Sequence, residues 1–325
     1  MIKRYNIIRK MRNQWIQILV EKYMMLLVLL LTCIIISIIK PVFLTPMNLT
    51  NVLRQVSMIG IIAVGMTFVI LSAQLDLSVG SVAALVGALA SGLQVRSNLS
   101  TSLGVMIPLI LAVVIGLISG IITTKIKVHS FIVTLGMLSI ARGFMLLYTG
   151  GRRIDILIPS FEYIGAGMIG PVPVPVIIYL SVIIVAAYTL SKTRFGRYVY
   201  AVGGNAEATR LSGISVDKIR IIVMSISSFT AGLSGIILSA RISAADPAMA
   251  EGWELNAIAA VIIGGTSLFG GQGGIGKTVI GTLFLGVLTT GLNLMGVSPY
   301  YQMLLIGILI VVAVVIDRLK RRLLM

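Results

Sequence analysis

The chain has 325 residues, of which 58% are hydrophobic and only 11% charged, with a mean hydropathy of +1.07. Soluble domains carry about 45–50% apolar and about 25% charged residues, so these figures exclude a disordered chain, a coiled coil and an ordinary soluble enzyme. The net charge of +16 suits a membrane protein whose basic residues collect on one side. No aromatic-basic surface of the kind that reads nucleic acid accompanies it.

The apolar residues come in long unbroken blocks, each near the ~20 residues a helix needs to cross a bilayer. A barrel would instead alternate apolar and polar residues along strands of about ten. The composition therefore predicts an all-α polytopic membrane protein, a single transmembrane domain over 1–325. In chain order, the basic segment 1–22 precedes an apolar run at 23–39. That run lacks a small-residue cleavage site, so it reads as an uncleaved first span. Charge-free stretches then predict spans at 55–75, 77–95, 97–124, 128–151 (interrupted by Arg142), 163–191 and 221–240. The stretch 255–276 is apolar but rich in glycine. The final run, 278–316, is too long for one helix, and Ser298-Pro299 divides it, because proline ends or kinks a helix.

Ten spans put both termini on one side. Alternating from a cytoplasmic N-terminus leaves nineteen basic residues inside. Six lie outside (Lys40, Arg54, Arg96, Arg152, Arg153 and Arg241), with Arg142 within a span. This is the positive-inside bias, and the basic tail 317–325 completes it. Cys33 is the only cysteine and His129 the only histidine. No internal disulfide and no Cys/His metal cluster is possible, and His129 reads as a structural or interfacial residue.

The charged cytoplasmic loop 191–220 contains Gly-Gly-Asn-Ala-Glu-Ala-Thr-Arg-Leu-Ser-Gly at 203–213. Asn205 is suited to cap a helix start, Glu207 lies in the first turn where negative charge favours the dipole, and Gly213 suits the left-handed helix end. A short helix through Ala208, Arg210 and Leu211 follows. So short a helix is marginal in water and needs a packing partner, either a second protein or its own bundle.

Gly271 to Thr278 reads Gly-Gln-Gly-Gly-Ile-Gly-Lys-Thr and matches the phosphate-loop pattern at every position. The context opposes a nucleotide site. The nearest strand-like run, 259–263, ends well before Gly271, and the following segment is charge-free and of bilayer length. Asp317, which imitates the acidic partner of such a site, opens the basic tail. Glycines, Gly264, Gly265, Gly270 and Gly271 among them, predict instead a broken helix, which at membrane depth lines a cavity or is buried in protein and in transporters lies near the substrate path. Asp76, Arg142 and the milder Asn293 are intramembrane polar residues and candidates for the path. Asp76 reads equally as a cap for the next span, and the two charges are able to pair.

At these residues the sequence resembles the permease subunits of bacterial ABC importers for simple sugars, the ribose/xylose/arabinose/galactose group. Leu75–Ser81 resembles that family's Asp-Leu-Ser-Val-Gly-Ser signature. The segment 197–221 resembles its ATPase-docking loop, 254–271 its glycine-rich stretch, and 291–302 the ribose members. Ala73-Gln74-Leu75 and Lys277 depart from the family pattern. The resemblance implies a dimer of permease chains in the bacterial cytoplasmic membrane, with ABC ATPase subunits below that carry ATP-Mg and an extracytoplasmic sugar-binding protein above. This chain itself would then be no enzyme and hold no cofactor. Asn205, Glu207, Ala208, Arg210, Leu211 and Gly213 would couple to the ATPase, and Arg152 and Arg153 are candidates to dock the binding protein. The alternative from another class is an ion-coupled secondary transporter of a small polar solute, using the broken helix at 264–276.

Overall fold

The computed structural model describes residues 24–324, with side chains to Leu319. The basic segment 1–22 and the outermost residues of the basic tail lie outside that range. Each predicted span contains a helix: α1 Met24–Ile39, α2 Pro46–Leu71, α3 Val79–Arg96, α4 Thr101–Lys125 and α5 Ser130–Thr149. After these come α6 Pro159–Ala166, α7 Val174–Lys192, α8 Arg194–Gly204, α9 Ala206–Leu211 and α10 Val216–Ile242. The chain continues through α11 Trp253–Ile263 and α12 Ile275–Leu294 to α13 Pro299–Leu324. Eight of the described helices have the length and composition to cross a membrane, while Met24–Ile39 and Trp253–Ile263 are shorter apolar helices. The chain is an all-α multi-pass membrane protein.

Three boundaries differ from the sequence expectation. The second helix starts at Pro46, not at 55, because Arg54 does not end it. Its guanidinium reaches out of the helix to the Ala166 carbonyl and the Met168 sulfur, as long basic side chains do near a span end. The expected span 163–191 begins only at Val174. Gly165, Gly167, Gly170, Pro171 and Pro173 turn its first part into the short helix α6 and a hairpin of β2 Met168–Ile169 with β3 Val172–Pro173. The expected span 255–276 stops at Ile263, where Gly264 and Gly265 end α11.

The centre of the bundle is α2, α3 and α10, each buried along most of its length, whereas α4, α5, α7 and α13 expose broad apolar faces suited to lipid. Small residues bring the central helices together. A Cβ on Gly235 of α10 would fall on the Ala83 carbonyl of α3, and one on Gly65 of α2 would overlap the Thr230 hydroxyl. Without a hydrophobic drive between helices in lipid, such close approach and interhelical hydrogen bonds supply the attraction. Ser91 and Ser239 share a hydrogen bond across α3 and α10, and the Ser234 hydroxyl donates to the Met58 carbonyl at 2.7 Å.

Two helices begin inside the bundle rather than at its ends. After α2, Ala73 adopts a left-handed φ of 57°, and residues 72–78 turn back to start α3 beside the midpoint of α10. After α10, Ser243 ends the helix in the left-handed region. Residues Ala244–Ala245 (β4) then pair with Ile154–Asp155 (β1), and 246–252 return inward to start α11. The two helix starts meet: a Cβ on Gly80 would strike the Ala250 carbonyl and the Glu254 carboxylate. The two breaks enter from opposite ends. One end, called the basic end here, carries Lys125, Lys192, Arg194 and Arg210. The other carries Arg54, Arg96 and Arg153.

Candidate functional site

At the basic end, Asn205 caps α9 as expected: its Oδ1 accepts from the Ala208 amide at 2.9 Å. Gly213 ends it at φ 81°. Glu207 and Arg210 form an exposed pair at 3.6 Å, and Arg210 also reaches Asp217 at 3.9 Å. Leu211 is 81% exposed, and Ala208 also lies on the outer side of the turn. An apolar residue so exposed, in the same short helix as an exposed carboxylate–guanidinium pair, presents a surface rather than a packed face.

Sequence reasoning missed α8, which precedes this turn. Its charges, Arg194 and Arg197, disguised an amphipathic helix whose Gly196, Val199 and Val202 are buried. Phe195 stacks on Phe68 of α2 with centroids 6.4 Å apart. Its last residues sit against two other segments at once. A Cβ on Gly203 would overlap the Leu71 carbonyl that ends α2, and Gly271 lies against Gly204. The Gly271 amide donates to that same Leu71 carbonyl at 2.9 Å, and the Tyr200 hydroxyl donates to the Gly273 carbonyl at 3.1 Å. The helix pair α8–α9 therefore abuts both the segment leading to the first break and the segment following α11.

This also fixes what Gly271–Thr278 does in the fold. The element directly before it is the helix α11, not a strand. Gly270 and Gly271 take φ values of 83° and 73°, which only glycine adopts without cost, and this lets backbone lie on backbone. Lys277 donates to the Gly265 carbonyl at 3.1 Å, and Thr278 shares a buried hydrogen bond with Thr67 of α2. A Cβ on Gly264 would overlap the Lys277 carbonyl. The resemblance to a phosphate loop is one of letters.

Asp76 and Arg142 do not pair. Asp76 is 1% exposed. Its Oδ1 accepts from the amide and hydroxyl of Ser78 and its Oδ2 from the Ser227 hydroxyl at 2.8 Å. It ties the first break to α10 and starts α3. Arg142 donates to the Pro247 and Met249 carbonyls at 3.2 and 3.1 Å and feels the charges of Glu251 and Glu254, so it holds the second break. Asn293 accepts from the Gln302 amide at 2.7 Å, joining α12 to α13. Arg153 is occupied by Asp155 at 2.6 Å, while Arg152 is exposed beside it. His129 caps α5 through its Nδ1.

The second break also borders a cavity of about 290 Å³ between α2, α11, α12 and α13, lined by Gln55, Glu251, Trp253, Asn256, Thr289 and Gln302 together with apolar residues. Glu251 apart, these residues carry no charge and so do not stand out among the intramembrane charges. Amides and a tryptophan inside apolar stretches were the available signal.

A family profile described as "Branched-chain amino acid transport system / permease component" matches residues 48–314. The ribose import permease protein of Escherichia coli K12 is 47% identical over 300 residues, 91% of this chain and 93% of that protein. The ribose import permease protein of Bacillus subtilis is 46% identical over 294 residues, 90% and 91% of the two chains. The L-arabinose transport system permease protein of E. coli K12 is 37% identical over 304 residues, 93% and 92%. No solved structure matches the chain. The profile spans most of the chain and both breaks, and the relatives extend over nearly its whole length, so the protein belongs to this family of transport-system permease components, in the branch of the simple-sugar ABC importers.

Proposed function

We propose that the chain is the membrane-spanning permease of an ABC importer that carries ribose into the cell. The observation that carries this reading is 47% identity over 91% of the chain to a ribose import permease, ten percentage points above the arabinose permease. Two permease chains form the path in the bacterial cytoplasmic membrane. The basic end faces the cytoplasm, in keeping with the positive-inside rule. ATP and Mg²⁺ bind a separate ATPase subunit, and a sugar-binding protein delivers ribose to the opposite end, with Arg152 as a docking contact.

The geometry supports a mechanism. ATP binding closes the ATPase pair and moves α9, whose exposed Leu211, Glu207 and Arg210 make the contact. The movement passes through α8 to the end of α2 and to the loop after α11, because Leu71 lies against Gly203 and Gly271 against both Gly203 and Gly204. Those two segments lead to the two breaks, and their rearrangement switches access between the two sides. Such a switch requires contacts that differ between two states of the whole bundle.

The test is to purify the tagged chain gently and reconstitute it with its co-purifying ATPase and binding protein. ATP-dependent uptake of D-ribose that survives an ionophore supports the proposal. Uptake that runs without ATPase or ATP and collapses with the ionophore replaces it with ion-coupled transport.

A further inference from the structure

We propose that the cavity beside the second break is a transit site for a neutral monosaccharide, with Gln55, Asn256 and Thr289 as its hydrogen-bonding residues and Trp253 as its stacking wall. The inference rests on the importer reading and names where that importer holds its cargo.

The cavity's size and chemistry support the assignment. Its volume of about 290 Å³ lies just below the usual range of ligand pockets, about 300–1,000 Å³, which suits one small molecule. Much of its lining is apolar, with Ile59, Leu285 and Ile306, and its polar groups are few, the usual composition of a small-molecule site. Thr282 and Gln302 are already engaged, with Tyr179 and with Asn293. The side chains of Gln55, Glu251, Asn256 and Thr289 make no hydrogen bond within the described residues. Amides offer two donors and an acceptor each, so they match hydroxyl groups that both give and receive. The ring of Trp253 supplies a flat apolar wall with a polar edge, matching the mixed faces of a sugar ring.

The charge pattern narrows the ligand further. Among the described residues no cation lines the cavity, and the one charged residue there is Glu251. A free carboxylate would enter with like charge beside it and nothing to pair with, a costly burial. An amino acid's ammonium would find Glu251 but its carboxylate would find no cation, so the cavity favours a neutral polyhydroxyl compound, although the family profile is described by amino-acid transport.

Its position explains why occupancy would matter. Glu251, Trp253 and Asn256 belong to the second break and the first turn of α11. The far end of α11 leads through Gly264 to the loop that packs on α8. Cargo and coupling helix thus bear on opposite ends of one eleven-residue helix.

The chain has one cysteine, Cys33, so a Cys33→Ser background reports on an introduced thiol. In the reconstituted complex, Asn256→Cys should react with a small thiol reagent and be protected by D-ribose but not by L-leucine. Asn256→Leu and Trp253→Ala should lower ribose uptake per ATP hydrolysed by about tenfold, the loss expected for one or two hydrogen bonds or a stacking contact, with Trp253→Phe retaining most uptake. The proposal is overturned if ribose fails to protect the introduced thiol while the same complex transports it, or if both variants carry ribose per ATP within about twofold of wild type. A wild-type complex that transports no ribose would instead defeat the importer reading.

Discussion

The two breaks in the bundle are built in contrasting ways. At 72–78 the polar core is closed: Asp76 is buried and accepts from three donors within its own turn and from α10. At 243–252 the backbone is held from one side by Arg142, and the other side opens on a cavity bordered by unengaged amides and a carboxylate. Broken backbone at membrane depth must be satisfied either by protein or by the contents of a cavity. The first break takes the former solution, with Asp76 bonded to Ser78 and Ser227. The second takes the latter, which makes it the place where a polar solute is received.

The contrast can be broken by substitution, and the largest effect is expected at the closed break. Asp76→Ala would strand the Ser78 amide and the Ser227 hydroxyl and should cost about 3 kcal/mol, read as a lower melting temperature of the detergent-purified protein. Asp76→Asn keeps the Ser78 acceptor and should lose less than half as much. Equal losses would mean that the charge, not the hydrogen-bond geometry, holds the break. Next is Gly203→Ala, which forces α8 away from the Leu71 carbonyl. Overpacking of this kind costs about 1–3 kcal/mol, and uptake should fall further than melting, because both breaks lose their link to α9.

A smaller loss of stability is expected from Arg142→Leu. It removes two hydrogen bonds from the open break, about 1–2 kcal/mol, and should alter ribose uptake more than Asp76→Asn does. Smallest is the pair Glu207→Ala and Arg210→Ala. These side chains are exposed, so melting should move by no more than about 0.5 kcal/mol in stability, yet ATP hydrolysis should become uncoupled from uptake. Normal coupling in both would remove α9 from the mechanism.

Much of the architecture is legible in the sequence because charge is rare. Where no charged residue intervenes for about 20 residues, a helix is present, and Ser298-Pro299 does divide the last run at α13. The cap of α9 is legible from Asn205 and Gly213 because capping is local chemistry. Errors arise where charge and depth separate. Arg54 ends a predicted span although its head alone leaves the helix, and Arg194 and Arg197 hide α8. Charge suggests a pairing of Asp76 with Arg142, but each finds uncharged partners nearer in space. The second break is invisible because nothing in Asp246–Gly252 distinguishes a surface loop from one that folds back into the bundle. The cavity residues come from four helices, and no local pattern brings Gln55 to Asn256.

The junction of Gly203 and Gly204 with Gly270 and Gly271 is contact between bare backbones. It has no side chains to exchange. A side chain added at Gly203 or Gly271 meets backbone, which has no complementary replacement on the other segment, so at these positions the joint allows no repair by paired substitution. Covariation between positions would pass over it, and a library of compensating mutants would return glycine at 203, 270 and 271, where an added Cβ meets Leu71, Ala73 or Gly204. A joint of this kind is kept by leaving its glycines unchanged.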